Sequence, residues 1–211
     1  MIFRSVIIAC VFGALALPAR AGDLSVTVTT RDGKPLADAV VTLPASPGAP
    51  KPNFPWKPEI AQKDKQFIPF VLVTSVGTEV AFPNLDKFRH HVYSFSKGNK
   101  FELELYGRED KRSVTFKSAG TAAIGCNIHD QMVGFIRIVD TPFAAKTNAE
   151  GVAKISGAPD GATKLTVWHP YAKAKEQIAV SDVTISPGAN TLTVTLDVTA
   201  KSAPQKMAMS H

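Results

Sequence analysis

The sequence predicts an all-β protein built from β-sandwiches, and three observations carry that expectation. Apolar and polar residues alternate over short runs, as in Leu24-Ser25-Val26-Thr27-Val28-Thr29, a period of two rather than 3.6. Thr, Val and Phe dominate these runs, while Gly, Pro, Asp and Asn separate them. No stretch shows the spaced apolar stripe of an amphipathic helix. Many short strands at even spacing point to a sandwich or a barrel.

Composition narrows the functional classes. The chain has 211 residues, of which 45% are hydrophobic and 20% charged, so it is too apolar for a disordered chain. Two cysteines are too few for a disulfide scaffold. The net charge of +6 is scattered with both signs mixed, without the clustered basic stripe of a nucleic-acid protein. No nucleic-acid partner is expected.

Taken in order, the first element is an export signal over residues 1–21. Arg4 supplies the basic start, Ser5 to Leu17 form an apolar stretch, and Ala19-Arg20-Ala21 has the small residues of a cleavage site. Cleavage after Ala21 would remove Arg4 and Arg20, lowering the net charge from +6 to +4. The mature protein is then expected in the periplasm or secreted. Downstream, no apolar run reaches the ~18 residues of a spanning helix, so no membrane span is expected in the mature chain. Cleavage also removes Cys10, leaving Cys126 as a lone cysteine in an oxidising compartment. Such a thiol is buried and inert, reactive, or masked by a metal.

Strand signals follow at 24–29 and 39–43, with an Asp32-Gly33 turn between them. Residues 44–59 are so rich in Pro that they read as a linker or surface crossing. Strand signals resume at 70–73, 79–82, 91–95, 100–105, 113–116, 121–125 and 133–139, and the pattern breaks near Asp140-Thr141-Pro142. Four more follow at 152–155, 163–168, 178–185 and 190–198, and residues 201–211 read as a flexible tail. His169, beside Pro170 at a strand end, reads as a surface or capping histidine.

The residues that carry chemistry lie between two strands. Cys126-Asn127-Ile128-His129-Asp130-Gln131-Met132 sets a thiolate, an imidazole and a thioether at C-x-x-H-x-x-M spacing on one short loop. Upstream, His90-His91-Val92 can bring a second imidazole, and only one of the two neighbours can face the loop, because adjacent strand residues point to opposite faces. Two imidazoles and a thiolate with a weak axial thioether form the ligand set of a blue-copper site. Two alternatives stay open on the residues alone. Zinc could take Cys126, His129 and His90, although thioether is a poor zinc ligand. A Cys-His nucleophile pair is the other, without a third residue to orient it. No phosphate loop, paired catalytic carboxylates, nucleophile elbow or c-type haem motif is present, and no enzymatic activity is expected.

Three segments resemble the cupredoxins, the plastocyanin, pseudoazurin and amicyanin group. Phe82-Pro83-Asn84-Leu85-Asp86-Lys87-Phe88-Arg89-His90-His91-Val92 is similar to the stretch carrying that family's first histidine ligand. Gly120–Cys126 resembles the strand entering its cysteine ligand, and Met132-Val133-Gly134-Phe135-Ile136-Arg137-Ile138 its closing strand. The resemblance implies a Greek-key sandwich over residues 60–140 that binds one copper ion, cycling between Cu(I) and Cu(II). It implies His90, Cys126, His129 and Met132 as ligands, with His91 at a position where the family has an asparagine that ties the ligand strand to the loop. Asn127 is expected to hydrogen-bond within the loop, and the ring edge of His129 to reach the surface.

Residues 22–43 and 141–200 resemble a second sandwich, of the transthyretin-like or carboxypeptidase-regulatory type. The carrying segments are Val26-Thr27-Val28, Asp32-Gly33-Lys34-Pro35-Leu36, Thr147-Asn148 with Glu150-Gly151, and Gly157-Ala158-Pro159-Asp160-Gly161. The copper module would then be an insertion in, or a neighbour of, this small Ig-like sandwich. Together the two modules resemble secreted plastocyanin-like proteins labelled as methylamine-utilisation proteins. The function implied is a periplasmic type 1 copper protein that passes single electrons between larger redox proteins, such as a dehydrogenase or a cytochrome, by transient docking. Two other readings are a periplasmic copper carrier that does not cycle, favoured by the Met-Ala-Met-Ser-His ending, and an adhesin-like structural sandwich.

Overall fold

The computed structural model describes residues 21–199. The expected export signal up to Arg20, with Cys10, and the expected tail at 201–211 lie outside the described residues. Between those limits the chain is all-β, with one three-residue 3-10 turn at Lys175–Gln177. No helix among the described residues is long and apolar enough to cross a membrane.

The first two strands are β1 (Ala21–Thr30) and β2 (Val40–Thr42). Nine strands follow: β3 (Ala61–Lys63), β4 (Gln66–Ile68), β5 (Val71–Ser75), β6 (Glu79–Ala81), β7 (His90–Ser94), β8 (Phe101–Tyr106), β9 (Ser113–Thr115), β10 (Gly120–Cys126) and β11 (Val133–Val139). The last five are β12 (Ala144–Lys146), β13 (Val152–Pro159), β14 (Gly161–Trp168), β15 (Ile178–Ile185) and β16 (Gly188–Leu196).

These strands make two sandwiches. In one, the sheet β13-β1-β16 packs on the sheet β12-β2-β14-β15. The alternation along β1 buries Leu24, Val26 and Val28 against Val41, Leu165, Val167 and Leu196. The other is built on the sheet β5-β11-β10-β7-β8. Its facing layer is the β6–β9 ladder and the β3–β4 hairpin, linked by the bridges Glu59↔Ala81 and Gln62↔Asn84. Phe82, Val92, Tyr106, Ile124, Ile136 and Ile138 fill the space between.

The nine strands β3 to β11 leave from β2 and return to β12, and those two strands pair antiparallel. The Leu43 N–H donates to the Phe143 carbonyl at 2.9 Å, so the points of departure and return lie side by side. This crossing requires little distortion, because a strand pair holds both ends together.

A third cluster joins the sandwiches. Val71 and Val73 of β5 and Phe135 and Val139 of β11 pack against Val40, Ala144 and Trp168. The parallel pair β5–β11 is therefore buried on both faces, and its strands read as continuous apolar runs. The Phe135 ring lies edge-on to Trp168 and to Phe70, at 6.1 and 5.4 Å between centroids.

The Pro-rich segment carries no strand through residue 58, yet it is pinned. Trp56 stacks on Phe54 at 5.0 Å and its indole N–H donates to the Val73 carbonyl at 2.7 Å. Three strands fall where no strand signal was read: β3, β4 and β12, each three residues long. Their sequences, Ala-Gln-Lys, Gln-Phe-Ile and Ala-Ala-Lys, lack the Val and Thr that mark the equally short β2, β6 and β9. His169 is buried, which corrects the surface reading; its Nδ1 accepts the Tyr171 N–H at 3.2 Å just past the end of β14.

Candidate metal centre

The site forms at one end of the second sandwich, where β7, the end of β10 and the loop into β11 meet. Strand β7 alternates buried and half-buried residues, so His90 faces the core and His91 the other side. Cys126 closes β10 and pairs with Val92 of β7, which carries its sulfur to the same end as His90. The loop then turns tightly. The His129 N–H donates to the Cys126 carbonyl at 3.4 Å and the Met132 N–H to the His129 carbonyl at 2.9 Å.

Three donor atoms converge there. The Cys126 Sγ lies 3.5 Å from His90 Nδ1 and 3.6 Å from His129 Nδ1, and one ligand atom from each residue falls within 4.8 Å of the others. A metal with bonds of about 2.0–2.3 Å, at angles between tetrahedral and trigonal, sets its nitrogen and sulfur donors about 3.6–3.8 Å apart. The side chains thus stand at the spacing a bound metal requires. Cys126 and His90 are buried and His129 is half-buried. Met132 is buried in the same apolar cluster as Cys126.

His91 does not join this group. Its Nε2 lies 2.9 Å from Glu102 Oε1 across the outer face, without the directionality of a hydrogen bond. The tie between ligand strand and loop is made by backbone, because the Asn127 N–H donates to the His91 carbonyl at 3.2 Å. Asn127 therefore acts through its main chain, and its exposed side chain makes no hydrogen bond within the loop.

Sequence reasoning missed Asp86. Its Oδ2 lies 2.8 Å from His90 Nε2, and its oxygens accept the N–H groups of Asp64 at 2.8 Å and Lys65 at 3.2 Å. Burial pushes this carboxyl up, but the bonds from His90 and the two amides prevail and hold it below its ordinary value. A carboxylate on Nε2 keeps the proton at that nitrogen and turns the lone pair of Nδ1 toward Cys126. The spacing of four residues between Asp86 and His90 is the only trace of this in the sequence.

Asn84 shapes the same segment. Its side chain donates to the Phe88 carbonyl at 2.8 Å and accepts the Asp86 N–H at 2.9 Å. Phe88 then lies over both imidazoles, 5.1 Å from the His90 ring and 5.4 Å from the His129 ring, with the Lys65 ammonium 5.7 Å from its own centroid. Loss of hydration, followed by the charges of His90 and Lys65, lowers the pKa of His129 against the opposing pull of Asp86. Leu85, Phe88 and Ile128 are exposed around the rim.

No known family's sequence profile matches the chain, and no curated protein does. Solved structures do resemble part of it. A copper-containing nitrite reductase from Thermus scotoductus is 29% identical over 46% of this chain, with a TM-score of 0.38. The match spans about a quarter of that enzyme, 25% of its chain. A purple cupredoxin from Nitrosopumilus maritimus is 22% identical over 38% of this chain and 98% of its own, with a TM-score of 0.35. An oxidised amicyanin mutant is 19% identical over 47% of this chain and 98% of its own, with a TM-score of 0.37.

Proposed function

We propose that this chain is a periplasmic type 1 copper protein that carries single electrons between larger redox proteins. The observation that carries the reading is the donor triangle, with one thiolate sulfur 3.5 and 3.6 Å from two imidazole Nδ1 atoms at a largely buried end of a sandwich. Cys126, His90 and His129 would hold the ion, with the thioether of Met132 as the weak axial donor. A copper ion there supplies a one-electron couple between Cu(I) and Cu(II).

The protein's own part is to keep the donors still. His90 is buried and held by Asp86, Cys126 is fixed in a strand, and His129 is braced by Phe88 and by the turn from Cys126. A site whose donors do not move between oxidation states needs little rearrangement when an electron passes. His129 is the half-buried member, and the apolar rim of Leu85, Phe88 and Ile128 offers a small contact area suited to brief docking. Zinc is the less suitable occupant, because structural zinc sites usually recruit more thiolates than the single one present here.

Adding Cu(II) to the purified protein tests the reading. An intense visible thiolate-to-copper band is expected, together with reversible one-electron voltammetry. A colourless protein that binds zinc in preference would overturn it, and a coloured protein that cycles poorly and yields its copper to a competitor would make it a carrier.

A further inference from the structure

The β3–β4 hairpin turns on two residues, Asp64 and Lys65, with φ of 53° and 56°. Both are left-handed, so this is a type I′ turn, whose preferred sequence is Asn-Gly. Lysine is a poor occupant of that conformation, which costs about 1 kcal/mol for a residue with a Cβ. What the turn gains in place is an anion: its two successive amides both point at the Asp86 carboxylate. The same carboxylate holds His90 Nε2, so two bonds separate an exposed hairpin turn from a ligand nitrogen.

The hairpin itself is anchored. Gln62 is buried, its N–H donates to the Pro83 carbonyl at 3.0 Å and its carbonyl accepts the Leu85 N–H at 2.8 Å. The Tyr106 hydroxyl donates to its side-chain oxygen. Phe67, on the return strand, packs against Gly134 just beyond Met132. The turn is therefore held in place on one side by the layer facing the sheet and on the other by the strand leaving the metal loop.

We propose that the Asp64–Lys65 turn is a positioning element of the metal centre, whose two amides seat Asp86 where it fixes the ring and the tautomer of His90. The proposal rests on the metal reading above for its consequence and on hydrogen-bond geometry alone for its mechanism. The amides, not the side chains, seat Asp86. Replacing both residues by the favoured pair, Asp64→Asn with Lys65→Gly, preserves the amides and should leave Asp86 seated and the His90 tautomer unchanged, whereas inserting one glycine between them should release Asp86.

The test reads two quantities in each variant. In the metal-free protein, imidazole nitrogen NMR should show His90 as a single Nε2–H tautomer in the wild type and in the Asn-Gly variant. Mixed tautomers are expected in the insertion variant and in Asp86→Ala. Titration with Cu(II) alone should show affinity lowered about 10- to 100-fold by the insertion and by Asp86→Ala, with no further loss when the two are combined. An insertion variant that keeps the single tautomer and wild-type affinity overturns the proposal, as does full additivity of the two changes. If wild-type protein gives no copper band, the metal reading fails while the tautomer measurement still decides this one. Should the insertion not fold, hydrogen exchange at the Asp64 and Lys65 amides decides: at least tenfold protection in the wild type that Asp86→Ala abolishes supports the proposal, and equal rates overturn it.

Discussion

At the residue scale, one backbone step separates two histidines of opposite fate. His90 is fully buried with Nδ1 toward the sulfur, and His91 lies on the outer face beside Glu102. His90→Ala should abolish the visible band of the Cu(II)-loaded protein, while His91→Ala should keep it; absorption spectra of the two variants check this. Tyr106 is a second residue whose loss is specific. Its buried hydroxyl donates to the Gln62 side chain and to the Phe82 carbonyl, the latter at 2.9 Å. Burial pushes its pKa up, so it stays a neutral donor. Tyr106→Phe leaves buried acceptors unpaired and should cost about 1–3 kcal/mol in chemical denaturation.

At the scale of elements, the hairpin packs closely on β11 just past the Cys126–Met132 loop. A Cβ on Gly134 would sit 2.8 Å from Phe67 Cβ, nearer than side chains approach, and that atom is too close to its backbone to swing aside. Gly134→Ala should therefore lose about 1–3 kcal/mol of stability. Combining it with Phe67→Gly, which removes that Cβ, should cost less than the sum of the two single changes, because the clash is gone; denaturation of all three variants measures the coupling. The elements also show how far local sequence reaches. The loop from Cys126 to Met132 is legible because all its donors fall within seven residues between two well-patterned strands. The hairpin that supports it is not, because its strands, Ala-Gln-Lys and Gln-Phe-Ile, hold no Val or Thr and its turn is Asp-Lys rather than Asn-Gly. Asp86 shared that obscurity, since an aspartate four residues before a histidine is an unremarkable pair until a fold brings amides to it.

For the whole molecule, the shared apolar cluster packs the two sandwiches against each other, and the two are expected to unfold together. Trp168 is 1% exposed between them, against Phe135 and beneath the Arg137 guanidinium, which lies 5.5 Å from its ring. Trp168→Ala should cost about 3–5 kcal/mol and lower the unfolding midpoint of both sandwiches together. Two separated transitions in calorimetry would contradict that coupling.

The molecule's acid sensitivity belongs to the same scale. Loss of hydration on burial lowers the pKa of His169 to about 4, against an opposing pull from Asp38 and a backbone hydrogen bond to Ala37. The unfolded chain then binds a proton, near its ordinary value of about 6.5, that the native chain refuses. Stability from this group is complete above about 6.5 and is lost as the pH falls toward 4, by roughly 2–3 kcal/mol. Denaturation at pH 7 and pH 4.5 should show that loss, and His169→Gln should reduce it.

Period-two patterning was enough to determine an all-β chain and most of its longer strands, because alternation is imposed locally by the direction of each Cβ. The sequence likewise determined that a thiolate, an imidazole and a thioether share one loop, since covalent spacing alone keeps them near. The resemblance in sequence already implied His90 as the upstream ligand; only the tertiary structure decided that its Nδ1 meets the thiolate, that Asp86 holds that histidine, and that the turn of a short hairpin holds Asp86. The contacts of His90 with Cys126 and of Asp86 with the turn join positions more than twenty residues apart along the chain, and the short-range pair of Asp86 and His90 is set in place only when those long-range contacts form.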